Sequence, residues 1–277
     1  MRRINYGIYL KLDELRTVTN APVVWSALVD GNAFAAGDEG AATRAAAGAG
    51  PTAADKAAAE GAGAADPRNA AAGPAAGALR RYLEHNLIRQ YELSRGYRLF
   101  QSARVADSAG NTVALVGERS SLLEAPEASG GELTVSPAAI DPESGANGIP
   151  IHVAIRDSEQ RRRVGTLHVV LSLTALTREI ELATTQIVGS TVELMRSDGN
   201  ILYATTPFQF FTRGESAPYL SDMTGTRGYL IVRDGPQPTL RAYARSAGYS
   251  SFPGLEWVLV LSQPLDAVTQ QSNAVRN

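Results

Sequence analysis

The sequence predicts an α+β protein in which a long N-terminal helix is followed by two antiparallel sheets in tandem. Three observations predict this fold. Apolar residues recur at spacings of three and four in the first twenty residues, which is typical of an amphipathic helix. Two strand-like stretches each turn at a Gly-Asn pair, which is typical of a β-hairpin. The two pairs, Gly110-Asn111 and Gly199-Asn200, are offset by 89 residues, which indicates a duplicated unit.

Composition limits the classes of function. The chain has 277 residues, 44% of them hydrophobic, a net charge of -2, three histidines and no cysteine. The absence of cysteine excludes disulfides, thiol catalysis and cysteine-based metal sites. A nearly neutral chain gives no electrostatic reason to expect nucleic acid as a partner. No apolar run in the sequence is long enough to cross a bilayer.

The N-terminal part is predicted to be a stalk helix with a short buried segment after it, together residues 1–32. Ile4, Ile8, Leu12, Leu15 and Val18 form the apolar stripe of the helix, and Pro22 interrupts or redirects it. Residues 33–78 are rich in Ala and Gly and lack the bulky apolar side chains that a core needs. We interpret them as a disordered or partly helical insert; the alternative is a packed element.

The first sheet module is predicted over residues 79–175. It opens with a helix at "LRRYLEHNLIRQYEL" that Gly96 ends, and continues with the hairpin "YRLFQSARVAD" and "TVALVG". The strand "GELTVS" follows, and then the hairpin "IPIHVAIRD" and "VGTLHVVLSL" around a charged tip. This tip contains Arg161, Arg162 and Arg163, which we expect to be solvated; the alternative is an anion contact.

The pattern then restarts. A linker helix is predicted over residues 176–188, a second module over 189–263 and an exit helix over 264–277, where Pro264 and Asp266 suit a first helical turn. A second pair of glycines, Gly165 and Gly254, shows the same offset of 89 residues before the strands "TLHVVLSL" and "LEWVLVLS". Each module is therefore expected to be an antiparallel sheet of about five strands.

This order of motifs resembles the double Cache domain, a PAS-like extracytoplasmic sensor. "NAPVVWSAL" is similar to the segment at the top of the family's stalk, and "ARVADSAGNTVAL" to its central hairpin, with Arg104 and Asp107 at matching positions. "GELTVSPAAIDPESGANGIP" resembles a Cache variant in which Ser136, Glu143 and Gly145 keep the expected spacing. "VELMRSDGNILYATTP" and "GLEWVLVLSQPLDAV" resemble the proximal module. "ERSSLLEAPEASG" is shorter than the helical stretch that usually walls the family's distal pocket.

The resemblance implies the extracytoplasmic or periplasmic sensing region of a membrane-bound signal transducer: a histidine kinase, a nucleotide cyclase or a chemoreceptor. Ligand binding or partner contact in the distal module would shift the exit helix relative to the stalk helix. A homodimer paired along the stalk is expected, with membrane spans outside this chain. The alternative is a dimerisation or partner-binding module without a small ligand, which the short wall favours. No nucleophile–base pair and no cofactor signature is found, so no enzyme activity is expected.

Candidate ligand-binding residues lie on the polar face of "IPIHVAIRD". Alternation places His152, Ala154 and Arg156 on one face of this strand and its apolar residues on the other. If Asp157 pairs with Arg163 at the tip, His152 faces His168. Ordinary sheet packing, pocket lining and metal binding remain alternatives for the two histidines, and the polar face is either solvated or lines a cavity. Together with the resemblance, this gives a candidate site for a carboxylate or amino acid, formed by Arg104, Ser136, His152, Arg156 and His168.

The remaining conspicuous side chains are predicted to be structural. Trp25 and Trp257 are expected to pack in the core or against the stalk, because an exposed indole ring is costly. His85 is expected on a helix surface.

Overall fold

The structure, a computed structural model, describes residues 2–29, 73–124, 131–157, 162–184, 189–248, 250, 252 and 254–268. The chain divides into two compact units. The first comprises Met1–Leu15, Val135–Ile149 and Leu171–Asn277. The second comprises Arg16–Thr134 and Pro150–Val170.

The predicted stalk helix is present as α1 (Arg2–Thr19). Its stripe of Ile8, Leu12, Leu15 and Val18 is buried, as expected. A second helix, α2 (residues 22–29), follows after a break at residues 20 and 21. It packs on the first sheet, described below, through Leu28. The methyl groups of Leu28 lie so close to Gly165 that a Cβ atom added to this glycine would be 3.0 Å from them.

Most of the predicted insert lies outside the described residues, but its last part does not. Helix α3 (Pro74–Leu83) begins there, with Pro74 in its first turn, so the boundary predicted at residue 78 is too late. The helix continues through a π-helical turn (Glu84–Arg89) into α4 (Gln90–Arg95). Gly96 ends it with a φ of 72°, the left-handed conformation that glycine adopts without strain.

The first sheet has six strands. Its order is β2-β1-β6-β5-β3, and β4 pairs with β5. The bounds are β1 Phe100–Asp107, β2 Thr112–Gly117, β3 Leu133–Val135, β4 Ala139–Ile140, β5 Asn147–Arg156 and β6 Arg163–Ser172. A 3₁₀ turn, Ser121–Glu124, follows β2 and buries Leu122 and Leu123. The sequence did not predict the two-residue strand β4.

The second sheet follows helix α5 (Leu173–Thr184). Its order is β8-β7-β11-β10-β9. The bounds are β7 Thr191–Met195, β8 Ile201–Ala204, β9 Arg227–Val232, β10 Thr239–Arg245 and β11 Val258–Pro264. A 3₁₀ turn, Ala217–Tyr219, lies between β8 and β9. Residues 265–268 begin the predicted exit helix, and the rest of that prediction lies outside the described residues.

The predicted duplication is confirmed at the hairpins. In β1 and β2, Arg104 pairs with Leu115, and a bulge follows Val105. In β7 and β8, Glu193 pairs with Ala204, and a bulge follows Leu194. Register and bulge thus coincide after the shift of 89 residues.

The turns of the two hairpins also match. Gly110 and Gly199 both have a φ of 87°. The second pair of glycines was a misleading match, because Gly165 lies inside β6 whereas Gly254 lies before β11, with a φ of 92°. The strands themselves still correspond, since β6 and β11 each hold the central position of their sheet.

The two tryptophans behave differently. Trp257 is buried, with 2% of its surface exposed, as predicted. Trp25 is 38% exposed, so it is not a core residue, and its packing against the stalk stays a prediction. No helix within the described ranges is both long and apolar enough to span a membrane.

Candidate functional site

A groove of about 370 Å³ opens on one face of the first sheet. Strands β1 and β6 and the β1–β2 turn form it. Its lining residues are Arg104, Ala106, Asp107, Ser108, Gly110, Arg163, Thr166 and His168. Two of the predicted site residues, Arg104 and His168, therefore lie together in one cavity.

Arg104 has an unsatisfied donor inside the protein. Its side chain shares a face of β1 with Ser102, while Ala103 and Val105 are buried on the opposite face. The Nη2 atom donates to the carbonyl of Leu123 at 3.3 Å. The buried Nε atom has no acceptor among the described residues, and neither has the buried hydroxyl of Ser102. An unpaired buried donor costs about 1–3 kcal/mol, so this face favours a polar occupant.

Asp107 does not neutralise this arginine, because the turn uses its carboxylate. Oδ1 accepts hydrogen bonds from the backbone N–H groups of Ala109 and Asn111, at 2.9 and 2.8 Å. Oδ2 accepts one from the side-chain amide of Asn111, at 3.0 Å. This geometry follows from the local sequence, since Asp and Asn side chains bond to backbone groups two to four residues away in turns.

Strand β6 adds a second cation to the groove. Arg163 lies at its start, half-buried, and its Nη2 atom donates to the hydroxyl of Thr166. The prediction of a solvated tip is wrong for this residue. At the tip, the N–H of Asp157 donates to the carbonyl of Arg162 at 2.8 Å. The pairing there is thus shifted by one residue from the predicted contact between Asp157 and Arg163.

The predicted contact between the two histidines is confirmed. Their Nδ1 atoms lie 2.8 Å apart and their rings are perpendicular, with centroids 4.8 Å apart. Both side chains are buried. The solvated interpretation of the polar face of β5 is therefore wrong for His152, although it holds for Arg156, which is exposed. His85 lies on a helix surface, as expected.

Ser136 and Arg156 are not among the groove-lining residues. Ser136 follows β3 and is half-buried. In the acidic loop after it, Gly145 has a φ of 70°, but the organising side chain is the buried Asp141. It accepts hydrogen bonds from the N–H of Glu143, at 3.2 Å, and the hydroxyl of Ser144, at 2.7 Å.

The second sheet carries a groove of its own, of about 520 Å³. Its charged lining side chains are Glu193, Arg213 and Glu215. Glu193 is buried, and its two carboxylate oxygens accept the backbone N–H groups of Glu215, at 2.9 Å, and Ser216, at 3.0 Å. Arg213 and Glu215 are exposed at the rim. Glu193 was not predicted as a site residue, although the shift of 89 residues makes its position in the second module equivalent to that of Arg104 in the first.

No group of three or more His, Cys, Asp or Glu side chains that could hold a metal ion occurs in the described part of the chain. The histidine pair supplies two imidazole ligands, and a structural metal site usually takes four ligands. The geometry therefore favours a hydrogen-bonded pair.

Comparison with solved structures identifies the fold. The extracellular domain of vpHK1S-Z8, assigned as a histidine kinase, aligns with a TM-score of 0.54 at 10% identity, covering 98% of this chain and 88% of that domain. The ligand-binding domain of the Pseudomonas fluorescens chemoreceptor CtaA, solved with L-isoleucine, aligns with a TM-score of 0.45 at 16% identity, covering 69% and 78%. The periplasmic sensory domain of the Campylobacter jejuni chemoreceptor Tlp1 aligns with a TM-score of 0.45 at 10% identity, covering 70% and 80%.

The predicted fold class, with its N-terminal helix and two tandem antiparallel sheets, is thus confirmed by the alignment with the vpHK1S-Z8 domain, which spans both sheets. No family model matches the sequence, and no curated protein matches it.

Proposed function

We propose that this chain is the extracytoplasmic sensing region of a membrane-bound signal transducer and that the groove of the first sheet binds a small anion. The fold, which it shares with an extracellular sensor domain, supports the first part. The second part depends on the groove itself. Strand β11 leads directly into the helix that begins at residue 265, so the second sheet is covalently connected to the helix through which the proposed signal would leave.

The observation that carries the proposal is the state of Arg104. Its Nε atom is buried beside an open groove and has no acceptor in the described structure. A carboxylate would supply that acceptor and form charge-assisted hydrogen bonds with the guanidinium group. Arg163 adds positive charge, and the hydroxyl of Thr166 adds a donor. A volume of about 370 Å³ lies in the range of small-molecule sites.

The ligand class that fits these groups is a carboxylate or an amino acid. Calorimetric titration with a panel of both, from acetate and succinate to the standard amino acids, is the direct test. Arg104→Gln should weaken binding by about tenfold or more, because a hydrogen bond to a charged group contributes about 1.5–3 kcal/mol. Arg156→Gln is the matched control, since Arg156 is exposed on the same sheet and does not line the groove; it should bind as the unaltered protein does.

Two outcomes would contradict the proposal. If no member of the panel binds to the folded protein, the groove is not the anion site and the module without a small ligand becomes the better interpretation. If Arg156→Gln weakens binding as much as Arg104→Gln does, the site lies elsewhere on this sheet.

A homodimer paired through α1 remains a proposal. Tyr6 and Leu10 lie one turn apart on this helix and are both exposed, so a second copy could cover them. Light scattering after gel filtration should report a dimer mass for the unaltered chain and a monomer mass for Leu10→Lys. Equal masses for the two proteins would exclude this face as the dimer contact.

A further inference from the structure

Two buried imidazole rings form the histidine pair, from neighbouring strands of the first sheet. His152 on β5 and His168 on β6 approach through their Nδ1 atoms, which lie 2.8 Å apart. This is the distance of a hydrogen bond, so one hydrogen lies between the two nitrogens. In the neutral pair, one ring donates its Nδ1–H group and the other accepts with a bare Nδ1 atom.

Counting hydrogens limits the charge that the pair can carry in this arrangement. One added proton converts the donor ring into an imidazolium, which strengthens the bond because its donor is then charged. A second added proton would place a hydrogen on each of the two facing Nδ1 atoms. A gap of 2.8 Å has no room for two hydrogens, so the rings would have to separate. The closed pair can therefore accept one proton beyond its neutral form, and not two.

The strands of the first sheet and the segments next to them carry charged side chains. Strand β1 carries Arg104 and Asp107, and strands β5 and β6 carry Arg156 and Arg163. Glu124 lies in the 3₁₀ turn after β2, and Glu132 lies just before β3. Glu124, Glu132 and Arg156 are exposed to solvent. The groove that His168 lines contains two arginines, Arg104 and Arg163, and one carboxylate, Asp107. The carboxylate of Asp107 accepts hydrogen bonds from backbone N–H groups of the β1–β2 turn. The groove is thus cationic, and this opposes an added proton on His168 until an anion arrives.

We infer that the His152–His168 pair is a proton-binding site that links occupancy of the groove to pH. This inference rests on the proposed anion site. A bound anion offsets the positive charge of the groove, so the pair takes up one proton from solvent as the anion binds. By reciprocity, the proton on the pair raises the affinity for the anion by the same factor. The affinity should rise as the pH falls through the histidine range, around 6.5.

The proton site can be tested without any ligand. Nitrogen-detected NMR of the imidazoles is tractable because the chain has three histidines, and the exposed His85 serves as an internal reference. Between pH 8 and 5, we expect His152 and His168 to respond together in one step that adds a single proton. Two independent steps in the folded protein, or no change in either ring, would refute the shared proton.

The His152→Asn variant supplies the matched control for this measurement. Asparagine keeps a polar group near the position of Nδ1 but cannot share a titrating proton. His168 should then respond alone, while His85→Asn leaves the coupled step intact. If His152→Asn does not fold, as judged by circular dichroism, the spectra of the unaltered chain and of His85→Asn still decide the question.

The link to the groove is tested by calorimetry with the carboxylate and amino-acid panel, in two buffers of different ionisation enthalpy. We expect an uptake of up to one proton per bound anion and an affinity that rises by up to tenfold per unit of falling pH. The His152→Asn variant has no closed pair, so the number of protons taken up per bound anion should differ from that of the unaltered protein. Binding with no proton uptake in the unaltered protein refutes the link and leaves the proposed function standing. Absence of any binding refutes the proposed function and the link together, while the NMR result on the pair stands by itself.

Discussion

The two sheets of this protein have the same strand order, yet the segment that follows the second strand is held differently in each. In the first sheet this covering segment is residues 118–124, and in the second it is residues 205–226. The corresponding strand positions are occupied by Arg104 and Glu193, which carry opposite charges. Arg104 donates to the carbonyl of Leu123, whereas Glu193 accepts the N–H groups of Glu215 and Ser216.

The second sheet adds further contacts to its covering segment. Arg241 donates to the hydroxyl of Ser216 at 2.6 Å, and Tyr243 donates to the carbonyl of Thr224. The guanidinium of Arg245 donates to the carbonyls of Leu220 and Met223, at distances between 3.0 and 3.2 Å. A cluster of buried residues that includes Met195, Met223 and Val258 fills the space beneath.

The two sheets share a strand order but differ in how the side chain at the equivalent strand position holds the covering segment. In the second sheet, both oxygens of the strand carboxylate accept hydrogen bonds from the covering segment, and Ala217 and Met223 of that segment belong to the core. In the first sheet, Arg104 reaches the covering segment through one hydrogen bond of 3.3 Å, and its guanidinium retains a buried donor with no acceptor among the described residues. Under the proposed function, one copy of the duplicated module holds its covering segment through a fully hydrogen-bonded carboxylate, and the other copy keeps a donor available for a ligand. Four predictions test this comparison.

The largest effect is expected from Trp257→Ala. This ring is buried next to β11, and its removal should destabilise the protein by about 3–5 kcal/mol, as for other large core truncations. Trp25→Ala should change stability by less than about 1 kcal/mol because Trp25 is partly exposed. Urea denaturation monitored by circular dichroism measures both; equal losses would mean that the second sheet does not depend on this core.

The corresponding strand positions should differ in importance. Glu193→Ala removes two hydrogen bonds to a buried carboxylate and should cost about 2–4 kcal/mol. Arg104→Ala removes one long hydrogen bond and should cost about 1 kcal/mol or less. Denaturation curves of the two variants provide the comparison. A larger loss for Arg104→Ala would reverse our comparison of the two copies.

The turn glycines offer a third comparison. Both have a φ of 87°, so alanine should cost about 1–2 kcal/mol at either position. At Gly199 an added Cβ would also lie 2.8 Å from the Cβ of Ala217, whereas at Gly110 nothing lies within 4 Å. Gly199→Ala should therefore lower the melting temperature more than Gly110→Ala does. Equal shifts would show that the 3₁₀ turn of the second sheet yields without cost.

The smallest effect is expected from the Ala-rich stretch, which precedes the first module and has no counterpart before the second. We expect that residues 35–72 can be replaced by a Gly-Ser linker of half the length with little change in melting temperature, because loop length affects closure entropy slowly. This range leaves Pro74 and the first turn of α3 in place. Loss of cooperative melting would indicate that the stretch is packed.

The sequence predicted those parts of the fold that depend on local chemistry. The hairpins were recognisable because Gly-Asn turns have few alternatives. The contact between His152 and His168 was predicted from a pairing of Asp157 with Arg163, and it is present although the tip pairs one residue away from that register. The start of α3 was missed because "GPAAGAL" reads as part of the insert, although Pro74 suits a first helical turn. Arg163 was misjudged because a run of arginines at a hairpin tip usually points into water, whereas the groove that it lines is formed by β1 and β6, strands far apart in the sequence.

The π-helical turn at Glu84–Arg89 determines the direction in which the side chains before and after it point relative to one another. Leu79, Leu83, Leu87 and Tyr91 follow one another at intervals of four, and all are buried. In a regular α-helix each such step overshoots a full turn by about 40°, so Tyr91 would point about 120° away from Leu79. The wider turn absorbs that overshoot, which lets a spacing of four residues stay aligned over β1 and β2. Removing one residue from Glu84–Arg89 would restore regular winding and leave Tyr91 within about 20° of the direction of Leu79, because eleven residues make about three turns. The edge-on contact between Tyr91 and the ring of Phe100, at 5.8 Å, should therefore survive that deletion.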